Sequence, residues 1–128
     1  MNKSLPTEEE LELVRDYCIL PIMLTIVENN KREMEYSTYS LRGLYVAAAD
    51  KLMDRIHADL VQVRKVMRAK KFKVVEAERK GYVDTALDYT FYCRGYEFPF
   101  SLMKAVIKYE ISVRLGKYIA ELFKKRGH

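Results

Sequence analysis

A chain of 128 residues, 49% hydrophobic and 32% charged, has the size and composition of one compact domain, 1–128. That balance excludes a disordered polymer, and the longest apolar run, residues 17–27 with Pro21 inside it, is far short of the roughly 20 residues of a membrane span. The net charge of +5 is unevenly laid: residues 1–63 carry 7 Lys/Arg against 11 Asp/Glu, and residues 64–128 carry 16 against 7. Such a division points to complementary faces within a protein or its oligomer, or to a surface kept for a polyanion.

The first element opens on Thr7-Glu8-Glu9-Glu10, which reads as a capping box with acidic residues at the positive end of the helix dipole. The helix is expected over about 8–28, burying Leu11, Val14, Cys18, Ile22 and Thr25 or Ile26, with a kink at Pro21 and an end at Asn29-Asn30. Ser37 or Thr38 is then the expected cap of a second helix. Leu41, Tyr45, Ala48, Leu52, Ile56, Leu60, Val63 and Met67 recur at spacings of three and four, one unbroken apolar stripe on a rod of about 45 Å. A rod of that length overhangs a core of this size, which leaves an end free to engage a partner.

Between Phe72 and Phe98 the period changes. Residues 73–78 and 85–94 read as two arms of a β-hairpin turning at Lys80-Gly81, with Thr85, Leu87, Tyr89, Phe91 and Cys93 on one face of the second arm. The rival reading extends the second helix to Gly81 and makes 83–94 a helix, which gives an all-α four-helix bundle. Gly95 breaks the strand, and Pro99 suits the first turn of a last helix over about 100–124. That helix is expected to bury Phe100, Met103, Ile107, Ile111, Leu115, Tyr118, Ile119 and Leu122, with Gly116 allowing another backbone to approach closely. The fold class is therefore mostly α (α+β): three amphipathic helices with one antiparallel β-hairpin before the last.

Four groups of residues are candidates for function. Arg64, Arg68 and Lys71 are spaced i, i+4, i+7 away from the apolar stripe, and Lys70, Lys73, Arg79 and Lys80 follow. This basic segment, 64–80, is the pattern that meets a phosphate backbone, and Tyr82, Tyr89, Tyr92 and Tyr96 lie close enough in sequence to stack on unpaired bases. The bland reading is a solvated helix end with tyrosines in the core. Asp50, Asp54 and His57 share a helical face and imitate the acid-x-x-His element of di-iron bundles, but no second such element exists in the chain and His128 is the other histidine, so no metal and no cofactor is expected.

Cys18 and Cys93 sit in apolar or aromatic runs with no CxxC, which reads as buried inert thiols of a reducing cytoplasm. The five glycines never come within five residues of one another, which excludes both P-loop and GxGxxG patterns. No enzyme is expected. The acidic and basic halves suit antiparallel pairing of two copies, or mutual neutralisation within one. The first expectation is thus a cytoplasmic, non-enzymatic interaction or regulatory protein that works through helical faces as a homodimer. A nucleic-acid-binding module using 64–80 is the alternative.

Overall fold

Helices α1 (Glu8–Glu35) and α2 (Arg42–Ala69), each 28 residues and about 42 Å long, pack side by side as an antiparallel hairpin. Strands β1 (Lys73–Glu76), β2 (Ala86–Cys93) and β3 (Tyr96–Met103) form an antiparallel sheet in the order β1-β2-β3, and helix α3 (Lys104–Lys124) closes the chain. The computed structural model describes residues 5–77 and 85–124. The protein is mostly α with a three-stranded antiparallel sheet before the last helix, and the four-helix alternative is excluded.

The start of α1 follows from its sequence. The Thr7 hydroxyl accepts from the Glu10 amide at 3.1 Å, and the Glu10 carboxylate accepts from the Thr7 amide at 2.9 Å. Pro21 does not end the helix. It leaves one backbone hydrogen bond unmade, and α1 runs on past Asn29-Asn30 to Glu35 because its second half lies against α2, where Lys31 reaches Asp50 at 2.7 Å. Ser37, expected to cap α2, instead donates its hydroxyl to the Met34 carbonyl and closes α1. The following helix starts later, at Arg42, with no side-chain cap.

At its other end α2 terminates in a Schellman motif. The Phe72 amide donates to the Met67 carbonyl at 2.9 Å and the Lys71 amide to the Arg68 carbonyl at 3.0 Å, with Phe72 and Met67 both buried. Lys71 stands at the left-handed position, φ 59°, where glycine is the usual residue. Lys71→Gly is therefore expected to stabilise the fold by about 0.5–1 kcal/mol, read as a raised urea midpoint with an unchanged slope.

The β2 face was legible from Leu87 onwards: Tyr89, Phe91 and Cys93 are buried and Leu87 partly so, while Thr85 lies before the strand and is exposed, and Ala86, expected on the other face, is buried. The residues after β2 were not legible. Arg94 and Gly95 both have positive φ (51° and 81°), so they form a tight two-residue turn and the chain returns as β3 rather than entering a helix. Phe98, Phe100 and Leu102 point inward at a period of two, and Pro99 is tolerated because β3 is an edge strand. Phe100 and Met103 thus belong to the sheet, and α3 begins only at Lys104, whose amide donates to the Thr85 carbonyl at 2.8 Å. The expected turn at Lys80-Gly81 lies outside the described residues.

The core sits where the three layers meet. Ile19 and Met23 of α1, Ile56 of α2 and Phe91 of β2 are fully buried, flanked by Leu60, Cys93, Ile107 and Ile111. Phe91 meets Phe72 edge-on at 5.0 Å and Phe98 at 6.3 Å, while Tyr89 stacks on Phe100 at 5.3 Å. On α1 Val14 and Cys18 are buried as expected and Ile22 and Ile26 pack partly against the core, whereas Leu11 and Thr25 are exposed and Ile19, Leu20, Met23 and Val27 widen the interior face.

Candidate interaction surfaces

Antiparallel packing brings the acidic start of α1 beside the basic end of α2. Arg94 of the β2–β3 turn anchors the start of α1: its guanidinium holds the Glu10 carboxylate at 2.9 and 3.0 Å and also donates to the Leu5 carbonyl. Glu10 is buried, and its carboxyl is lowered to about 2, chiefly by the Arg94 hydrogen bonds and further by the Thr7 amide and the nearby charges of Arg94 and Lys70, against the opposing effect of burial. Arg114 reaches Asp16 at 2.8 Å, Arg15 reaches Glu110 at 3.4 Å and Arg55 reaches Glu121 at 2.6 Å. Part of the charge division is therefore closed within one chain.

The basic segment is what these pairs leave over. Arg64, Arg68, Lys71 and Lys73 are exposed, and none of them makes an ion pair with a described residue. Lys70 is partly engaged, its ammonium lying 5.8 Å from the centre of the Phe72 ring. Arg79, Lys80 and Tyr82 lie outside the described residues. Of the tyrosines proposed as stacking platforms, Tyr89 is buried in the core and its phenol is pushed up to about 12 by burial. Tyr92 and Tyr96 are exposed, and Tyr92 stands opposite Lys73 across the sheet.

Among the described residues, two apolar surfaces are left uncovered. The first is the tip of the α1/α2 hairpin, where Tyr36, Tyr39, Leu41, Leu44 and Tyr45 are exposed, so the first third of the α2 stripe has no partner among the described residues. The second runs along α3. Its inner stripe, Ile107, Ile111, Leu115, Tyr118 and Leu122, meets the core as expected. A second stripe on the opposite side was not foreseen: Val106, Tyr109, Val113, Gly116, Ala120 and Phe123 are all exposed, Tyr109 at 71% and Phe123 at 68%. Ile119, expected inside, belongs to this outer side at 44% exposure. The signal was present in the sequence as the spacing 3-4-3-4-3. It was masked by the inner stripe, because a helix apolar on two sides presents no single clear face.

Groups with chemical reactivity are occupied by structure. Cys18 and Cys93 are free and buried, and burial pushes the Cys18 thiol to about 12 and raises that of Cys93 despite the neighbouring Arg94. Asp50 is paired with Lys31, and Asp54 and His57 are exposed on α2. Among the described residues no group of three His, Cys, Asp or Glu side chains could hold a metal ion. No helix among them is long and apolar enough to cross a membrane.

A cleft of about 310 Å³ opens where the three helices meet, lined by Leu13, Asp16, Asp59, Gln62, Arg114 and Tyr118 among others. That is the lower end of the range for ligand pockets. Its polar groups satisfy one another: the Tyr118 hydroxyl donates to Asp59, which together with burial raises the phenol, and Arg114 holds Asp16.

Comparison with known proteins gives a family but no activity. The chain is 30% identical over 113 residues to the uncharacterized protein YhjD of Bacillus subtilis (strain 168), covering 88% of this chain and 91% of that protein. No solved structure gives a match. The model of the family described as YhjD protein matches residues 5–123, nearly the full length, and the chain accordingly belongs to the YhjD protein family.

Proposed function

We propose that this chain is a non-enzymatic interaction protein of the cytoplasm that works as a homodimer through its exposed helical faces. The observation that carries the reading is the outer side of α3, an apolar stripe running nearly the length of the helix that no described residue covers. Contiguous apolar surface of this kind marks an association site. The occupied state of the reactive groups supports a non-catalytic role, since Cys18 and Cys93 are inaccessible and protonated at neutral pH. Two free thiols also suit a reducing compartment. Light scattering coupled to size exclusion is expected to give twice the chain mass. A single-chain mass at every concentration would overturn the dimer.

A second reading has its own observation. The unpaired cations Arg64, Arg68, Lys71 and Lys73, with Tyr92 beside Lys73, make a surface able to follow a phosphate backbone. If it binds nucleic acid, fluorescence anisotropy with labelled single- and double-stranded DNA and RNA will show affinity that falls steeply with salt. Changing Arg64, Arg68 and Lys71 together to Gln is expected to reduce the log–log salt slope by about 3. Absence of binding at low salt, or an unchanged slope in the triple variant, sinks this reading.

A further inference from the structure

We infer that two copies of this chain associate by antiparallel packing of α3 on α3, with the two-fold axis passing between Val113 and Gly116. The inference rests on the homodimer reading above and adds its surface, orientation and register.

The six outer positions, Val106, Tyr109, Val113, Gly116, Ala120 and Phe123, follow the 3-4 spacing of a helix-pairing seam over about 26 Å of helix. The two smallest of them, Gly116 and Ala120, are consecutive in the second half, and the two largest, Tyr109 and Phe123, lie away from the centre. In an antiparallel pair centred between Val113 and Gly116, Val106 lies against Phe123 of the second copy. Tyr109 then lies against Ala120, and Val113 against Gly116. Every layer but the outermost sets a larger side chain against a small one, which allows an even, close separation of the axes. Parallel, in-register pairing would instead set Tyr109 on Tyr109 and Phe123 on Phe123 with Gly116 on Gly116 between them, a bulge on either side of a gap.

Charge is compatible with the same arrangement. Directly beside the seam stand Glu110 in the first half of α3 and Lys117 in the second. The antiparallel register brings Lys117 of each copy towards Glu110 of the other, adding a cation beside a carboxylate that Arg15 and Arg114 already reach at 3.4 Å within the chain. Lys117 is exposed and makes no ion pair with a described residue, so it is free for that role. Parallel pairing would put Lys117 beside Ser112 and leave the charge unanswered. Gly116 completes the case: a Cβ added there meets nothing within 4 Å in the single chain, so the monomer fold does not require its missing side chain. A closely approaching second helix does.

The test combines mass with orientation. Val113→Glu is expected to weaken association by about 100-fold or more, because it would set a carboxylate in the centre of an apolar seam. Gly116→Leu is expected to weaken it at least tenfold while circular dichroism shows an unchanged helical monomer. For orientation, Val106→Cys chains mixed with Phe123→Cys chains are expected to form a disulfide-linked heterodimer under mild oxidation, and Val106→Cys chains alone are not. The native thiols are buried and do not compete.

A dimer that Val113→Glu and Gly116→Leu leave intact would overturn this surface while leaving the homodimer reading in place. So would efficient self-linking of Val106→Cys, which requires a parallel pair. A wild-type chain that is monomeric throughout would overturn both.

Discussion

Phe91→Ala is expected to destabilise the protein by about 3–5 kcal/mol, the largest single effect among its side chains. Phe91 is fully buried at the centre of the middle strand and is the one residue whose ring meets both Phe72, just beyond the end of α2, and Phe98 on β3. Truncating it removes the transfer free energy of the ring and leaves a cavity bounded by a helix end and two strands, which cannot collapse together. For a domain whose total stability is about 5–15 kcal/mol, the variant should be near or past its folding limit at physiological temperature. Urea unfolding followed by far-ultraviolet circular dichroism measures this. A loss under about 1 kcal/mol would show that the sheet is not anchored to the helices through Phe91.

Glu10→Gln is expected to cost about 1–3 kcal/mol at neutral pH, and the cost should vanish in acid. Glutamine can still accept the Thr7 amide in the capping box, so the substitution isolates the charge that answers Arg94. Arg94 holds the Glu10 carboxyl at about 2, below its ordinary value of 4.5, so the carboxylate is favoured in the folded chain. A lowered folded value means that the stabilisation is fully present above about pH 5 and is lost as pH falls from there through 2. Wild type and Glu10→Gln should therefore differ in urea midpoint at pH 7 and converge near pH 2. A constant difference across that window would place the effect in packing rather than charge. The pair matters for architecture because Arg94 lies in the β2–β3 turn and Glu10 in the first turn of α1, so one contact joins the tip of the sheet to the start of the helical hairpin.

Reading from sequence worked where one local signal had no rival. Thr7 and Glu10 sit at the capping-box spacing, and both hydrogen bonds are made. The α2 stripe from Leu52 to Met67 and the inward alternation of Leu87, Tyr89, Phe91 and Cys93 were equally direct. Reading failed where a residue type has two uses. Asn29-Asn30 can end a helix but need not, and contact with α2 carried α1 on to Glu35. Ser37 can begin a helix or close one. Pro99 can open a helix or stand on an edge strand, and Arg94 gave no warning that it would take the left-handed conformation beside Gly95, so β3 was hidden. Of the candidate sites, the exposure of Arg64, Arg68, Lys70, Lys71 and Lys73 was legible from their place opposite the α2 stripe. Their freedom from ion pairs was not, because it depends on which acids the fold brings near.

By itself the sequence determined three amphipathic helices, a strand region between the second and third, two buried thiols and an uneven charge, since each follows from spacing within a few residues. The tertiary structure decided how that charge is disposed and which apolar stripe is covered. Arg94, Arg114, Arg15 and Arg55 close across the two halves only because the fold sets α3 and the β2–β3 turn against the helical hairpin, bringing residues distant in sequence side by side. The same packing gives α3 one neighbour-facing side, and its other apolar side is left to solvent or to a second copy. Helical periodicity shows that both stripes exist. Only the position of the sheet and the helical hairpin shows that one of them has no partner among the described residues.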